Sequence, residues 1–256
     1  MALQSTTRGY KGRGRFILRP IGGGRPFELG NVTDFTESIE VDRSSRQDYK
    51  DASGGELDVE ETVSSFTFEA TCNDITPQNL ATAFLANADQ LGEQEITDEE
   101  ITSWSGTRLG FRYIPDPSQP VTVKTDDASP VTLVEGEDYD RTPHGIRIAD
   151  APVNISFADE DEEITLLVSY TRNPQYLIQA LTASQQEYEL RWEGLNSVDG
   201  GNPTSATYFR AKFSPTSGFK RHGGDDFAEL TLSGTILADD TRTGAGLSRY
   251  CEMAII

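Results

Sequence analysis

The chain has 256 residues, 36% of them apolar, and sets 22 Lys and Arg against 42 Asp and Glu for a formal charge of −20. A surface this acidic holds phosphate poorly, which argues against a protein that grips nucleic acid. Mean hydropathy is −0.49 and no run of 18 apolar residues occurs, which argues against a membrane span, while the opening MALQSTTRGYKGRGR lacks the apolar centre of a signal peptide, so a cytoplasmic site of synthesis and assembly is expected.

The charge is unevenly placed. Six basic groups and no acid lie before residue 26 (Arg8, Lys11, Arg13, Arg15, Arg19 and Arg25), leaving 16 basic against 42 acidic groups in the remainder. A basic arm on an acidic body makes identical copies attract one another at one end. The same acidity, with 5 Lys against 17 Arg, also fits a solubility device or a salt-tolerant host. Length allows one large domain or two small ones. Cys72 and Cys251 read as small hydrophobes, not as a disulfide or metal pair.

In chain order, Arg15–Leu18 forms a short apolar strand that stops at Pro20 and a Gly22–Gly23–Gly24 turn. Phe35, Ile39 and Val41 then alternate with Asp34, Thr36, Ser38, Glu40 and Asp42, the pattern of a half-buried strand. Its partner carries Leu57, Val59 and Val63 on one parity and Phe66, Phe68, Ala70 and Cys72 on the other. That flip calls for a bulge or bend near Ser64–Ser65, turning one long strand from one sheet into another. Thirteen residues, Arg43 to Gly55, join the two strands as a long loop, well beyond the usual hairpin connection, and long loops on rigid hairpins usually have a job.

Thr76 as N-cap and Pro77 at the first helical position open one amphipathic helix of about three turns over residues 77–87, with Leu80, Ala83 and Phe84 on its apolar side. From residue 106 to 171 the texture changes to Pro-punctuated short strands, Val121–Lys124, Val131–Val134, Gly145–Ile148 and Ile164–Tyr170, read as an inserted β subdomain. The acids of Asp159–Glu163 read as a solvated turn without the glycine and spacing of a calcium loop. Residues 174–181 fit helix or strand. The main domain resumes with Tyr188, Leu190 and Trp192, with Phe209, Ala211 and Phe213 opposed by Tyr208, Arg210 and Lys212, and with a last strand over Asp226–Ala238. The expected fold is mainly β, divided into 1–105, an inserted β subdomain at 106–171, and 172–256.

No catalytic, cofactor or metal site emerges. His144 and His222 sit in glycine turns, and neither G-x-S-x-G, C-x-x-C, H-E-x-x-H nor an EF-hand spacing occurs. Gly22–Gly23–Gly24 leads through Arg25–Pro26–Phe27 to a strand, unlike a phosphate loop.

Several segments, in order, resemble the tail tube (major tail) proteins of tailed bacteriophages. These are Tyr10–Leu18 with Phe27–Val32, the long hairpin, Thr76–Leu80, Gly136–Tyr139 with Gly145–Ile148 and Val168–Thr171, Leu190–Asn196, and Glu229–Asp239. The resemblance spans most of the chain. It implies a tail-tube β-barrel or sandwich with one flanking helix, and a non-enzymatic subunit of hexameric rings. Their sheets would join into an inner barrel, stacked into a tube that conducts DNA. It further implies a place in the virion tail, partners that are copies of itself and other tail proteins (tape measure, terminator, baseplate or tip, sheath), DNA only as passing cargo, and neither cofactor nor membrane. The segment with Arg43, Arg46, Asp48, Tyr49, Lys50 and Asp51 would reach the adjoining ring. The basic arm (Arg8, Lys11, Arg13, Arg15, Arg19) would contact acidic neighbours, and Glu60, Glu189 and Glu229 are candidates for an acidic lumen. Two other classes stand beside this reading, a monomeric β-sandwich that binds sugars or other ligands, and a carboxylate-dependent hydrolase.

Overall fold

The computed structural model describes residues 9–50, 54–159, 161–198, 200–216, 218–222 and 225–256. Among them run β1 (Gly12–Pro20), β2 (Phe27–Glu28), β3 (Val32–Gln47), β4 (Glu56–Cys72), α1 (Pro77–Ala83), β5 (Ala88–Leu91), β6 (Gln94–Ser103), β7 (Arg108–Gly110), β8 (Thr122–Thr125), β9 (Tyr139–Thr142), β10 (Gly145–Ile148), β11 (Ile164–Arg172), β12 (Gln175–Ile178), β13 (Glu187–Asn196), β14 (Asn202–Phe213), β15 (Leu230–Ile236) and β16 (Cys251–Ile255). The protein is mainly β with one helix. It divides into two compact units, Met1–Ala88 with Ile178–Ile256, and Asp89–Leu177.

The larger unit is built on one antiparallel sheet in the order β2-β1-β13-β14-β15-β4-β3, with β16 also on β14. Its strand path is open, and the described residues form no closed barrel. One face carries the core, where Phe16, Leu18, Phe66, Phe68, Leu190, Tyr208, Phe213, Leu230, Leu232 and Ile236 are buried together. The sheet curls enough for Phe35 of β3 to pack on Phe16 of β1, their ring centres 4.5 Å apart and their planes tilted by 32°. The residues at 12–20 are therefore a sheet strand and not a free arm, paired with β13 from Gly12↔Asn196 to Pro20↔Tyr188.

The β3–β4 hairpin differs from its sequence reading in a way the backbone explains. Its ladder continues through Arg43↔Glu61 and Arg46↔Asp58 to Gln47↔Glu56, so the connecting loop begins only at Asp48, whose N–H donates to the Gly55 carbonyl at 2.6 Å. The register shifts where Glu40 pairs with Ser65 and Val41 with Val63, leaving Ser64 as the extra residue of a bulge. A parity flip in sequence plus a bulge in the backbone cancel: both strands stay in one sheet, and Leu57, Val59 and Val63 remain on the same face as Phe66 and Phe68.

A second bulge corrects the reading of β14. Tyr188 pairs with Ala211 and Leu190 with Tyr208, so Phe209 and Arg210 together oppose Glu189. Tyr208 thereby enters the core with Ala211 and Phe213, and Phe209 lies beside Arg19, Glu189 and Arg210 under the Arg242 guanidinium, 3.7 Å from its ring centre. The last main strand is shorter than expected, Leu230–Ile236.

Helix α1 begins as its sequence demands, with Thr76 Oγ1 accepting from the Asn79 N–H at 3.1 Å and Pro77 in the first turn. It stops at Ala83, about two turns and not three, because the chain turns out at Leu85 (φ 47°) and the Ala86 N–H bonds back to the Ala81 carbonyl at 2.8 Å.

The smaller unit holds two three-stranded sheets, β7-β10-β9 and β6-β11-β8, around Leu109, Val123, Leu133, Tyr139, Ile146, Ile148, Leu166, Val168 and Tyr170. It begins at Asp89 and not at residue 106, because the acidic stretch that sequence left irregular supplies β6, which pairs along β11. Val131–Val134 contributes only a bridge between Thr132 and Lys124. Segment 174–181 resolves as the strand β12, which pairs with β5. Asp138 is the polar centre of this unit. At 0% exposure it accepts from the N–H groups of Val134 (2.8 Å), Val153 (2.7 Å) and Asn154 (2.7 Å) and from Asn154 Nδ2 (2.7 Å).

Candidate assembly surface

The hairpin outruns the body that supports it. Beyond Phe66 the core face of β3 and β4 continues as Ile39 (59% exposed), Val41 (51%), Val63 (53%), Val59 and Leu57, each about half exposed, with Arg43 and Glu61 interposed between Val63 and Val59. A two-stranded ribbon is marginal alone in water, and an apolar stripe on one of its faces asks for a partner. At the tip Tyr49 is 91% exposed, with the Lys50 N–H bonded to the Asp48 carboxylate at 2.8 Å. Arg43 and Arg46 lie on β3 below it: Arg43 pairs with Glu56 and approaches Glu61 at 3.8 Å, while Arg46 stands across from Asp58. Asp51 lies outside the described residues.

The opposite face of the sheet is mainly polar, with Ile17, Leu195 and Phe209 as its apolar members on β1, β13 and β14. Register places Asp34, Thr36, Ser38 and Glu40 of β3, Thr67, Glu69 and Thr71 of β4, and Thr231, Ser233 and Thr235 of β15 side by side on it. Glu60, across from Ser44 on the outlying hairpin, belongs to this face, and so does Glu189. Glu229 comes one residue before β15. Register places Asp34 and Glu69 among the acids of this face, as the alternations of β3 and β4 in the sequence already imply.

At the β1 end the same face carries a charged ladder. Arg19 is paired with its cross-strand neighbour Glu189, Arg15 with Glu28 at 3.4 Å, and Arg210 with Glu187 through two bonds of 3.0 Å. The Arg210 bonds hold the Glu187 carboxyl below its usual range. Lys11 and Arg13 have no acidic partner among the described residues, and Arg8 lies outside them. On the core face, burial and then the Glu37 carboxylate, which accepts from the Tyr208 hydroxyl at 2.8 Å, push the Tyr208 phenol far above its ordinary value.

Both ends of the sheet are open to pairing. β2 and Leu29, whose N–H donates to the Phe16 carbonyl at 3.0 Å, cover β1 at Phe16–Leu18, so among the described residues Gly12–Arg15 is a free edge, and the outer edge of β3 is free along its sixteen residues. On the polar face these edges are opposite in charge, Arg13 and Arg15 on β1 against Asp34, Glu40 and Asp42 on β3. Unpaired edges of this length are what soluble proteins normally cover or blunt.

The matched segments of a known family fix where the chain belongs. It is a member of the family described as protein of unknown function UCP028589. The family model matches residues 9–254, from before β1 into β16, and so takes in both units. No curated protein matches the chain.

No group of three or more His, Cys, Asp or Glu side chains is placed to hold a metal ion among the described residues, and His144 and His222 are exposed in separate segments. The surface can pair strands, bury an apolar stripe and match charge.

Proposed function

We propose that this protein is a non-enzymatic structural subunit of a bacteriophage tail tube, forming hexameric rings that stack into a conduit for DNA. The observation that carries this reading is the hairpin whose largely apolar face runs on past the body and stays about half exposed along its length. A ring explains the free edges: the β3 margin of one subunit beside the β1 margin of the next brings Asp34, Glu40 and Asp42 toward Arg13 and Arg15, and closes an inner barrel that a single copy leaves open. The hydroxyl-rich and acidic face is then the lumen, where the scarcity of unpaired Lys and Arg leaves DNA few contacts and few counterions to release. Glu60, Glu189, Glu69 and Asp34 are its acids. The smaller unit decorates the wall, and the remaining partners are other tail proteins.

A sugar-binding module would display an aromatic platform, whereas Trp192 lies over Gly194 and Gly12 beside Phe16. Electron microscopy of the purified protein tests the reading. Rings or tubes are expected, and loss of stacking on removing residues 43–55. Dispersed monomers at high concentration for both proteins would refute it.

A further inference from the structure

The larger unit has a pocket of about 200 Å³ beneath α1, walled by Phe27, Tyr188 and Phe213 and rimmed by Gln78, Ser184 and Gln186, with no charged side chain in its lining. Cavities of about 150 Å³ hold a benzene ring, so the space suits one aromatic side chain with a polar end. No residue of the described chain fills it. At the other extreme of the same unit Tyr49 stands 91% exposed on the hairpin tip, flanked by Arg46, Lys50 and Leu57.

These two features sit at opposite ends of one strand. β4, seventeen residues long, leaves the tip at Glu56 and reaches Cys72, just before α1. Gly234, next to Phe68 on β4, pairs with Phe213 in the pocket wall. At about 3.3 Å per residue the strand spans roughly 50 Å, so Tyr49 cannot enter the pocket of its own chain.

We propose that Tyr49 is an anchor received by the pocket beneath α1 of a second copy. The inference rests on the stacked-ring reading and deepens it, by naming the knob on one ring and the hole on the next. A knob and a hole on different parts of one molecule make a head-to-tail contact, which propagates into an open stack and does not close on itself. Tyrosine is well suited to the task, offering a large apolar ring with a hydroxyl for the amides at the rim, and such anchors carry a disproportionate share of interface energy. The apolar stripe behind the tip, Leu57, Val59 and Val63, is then drawn against the same neighbour.

The test uses the full chain. Tyr49→Ala, at a solvent-exposed position, is expected to leave the melting temperature unchanged and to raise the protein concentration at which tubes pellet by roughly thirtyfold, the scale of a buried aromatic anchor. Ala183→Phe, which fills the pocket, is expected to do the same. In a Cys251→Ser background, mixed assemblies of Lys50→Cys and Ser184→Cys chains, both keeping Tyr49, should give a two-chain product with a short bismaleimide, and neither variant alone should. Wild-type tubes together with unaltered pelleting of Tyr49→Ala, or without the cross-link, would overturn the anchor while leaving the ring reading intact. Failure of the wild type to form rings or tubes would overturn both.

Discussion

Replacing Ile39, Val41 and Val63 together by threonine separates what the hairpin does for its own chain from what it does for a neighbour. Threonine keeps the β-branch and the strand preference while exchanging a methyl or ethyl group for a hydroxyl. Each of the three side chains is a little more than half exposed in one copy. Fully burying such a residue stabilises by about 1.5–3 kcal/mol, so about 1 kcal/mol apiece remains to be gained by docking. Three sites give about 3 kcal/mol per hairpin, a little over a hundredfold in association, before the cost of burying an unpaired hydroxyl is added. In the isolated chain each change should cost under about 0.5 kcal/mol, as surface substitutions do. Sedimentation velocity across a concentration series should show the assembly threshold rising by two orders of magnitude, with thermal unfolding of the unassembled protein nearly unmoved. A large fall in melting temperature with unchanged assembly would refute the reasoning, since it would mean that these residues pack within their own subunit.

Three further outcomes follow from the packing. Asp138 is buried at a cost that by itself raises its pKa, and four N–H donors outweigh that cost and leave it below the usual carboxylate value. A depressed folded-state pKa means stability that is present above the unfolded value near 4 and lost as pH falls through the lower folded one, so the smaller unit should open in acid; Trp104 fluorescence in a Trp192→Phe variant follows that unit, and Asp138→Ala should abolish the transition by unfolding the unit already at neutral pH. Gly14→Ala places a methyl against the Glu193 carbonyl and the Gly194 backbone, neither a flexible side-chain end, so a loss of about 1–3 kcal/mol is expected in denaturant titration. Thr76→Ala removes the helix cap and should cost about 1 kcal/mol by the same measurement, with Thr76→Ser restoring most of it.

Much of this fold was legible in the sequence where local chemistry decides it. The Thr76–Pro77 helix start, the bulge near Ser64 and the alternations of β4, β13 and β15 each follow from a short stretch of residues. What was not legible depended on pairing. The Arg43–Gln47 segment is polar on both faces, so nothing in it distinguishes a solvated loop from a strand surrounded by water, and only its ladder to Glu56–Glu61 makes it a strand. The face taken by Leu57 and Val63 required the flip and the bulge to be combined. In β14 the Tyr208–Phe209 pair is apolar on both parities, and its bulge is visible only against Glu189. The candidate site shows the same division. Tyr49 and the acidic partners were available from the residue list, whereas the pocket beneath α1 gathers residues between Phe27 and Phe213 that no linear pattern connects.

The strands by which the chain leaves the larger unit and returns to it, β5 and β12, lie paired with each other. The two ends of the Asp89–Leu177 unit are therefore already joined in space. A module attached in this manner can be trimmed, exchanged or enlarged during evolution with little demand on the scaffold. The same geometry offers experimenters a place to graft foreign cargo, at the β5–β12 pair and not within the larger sheets of either unit.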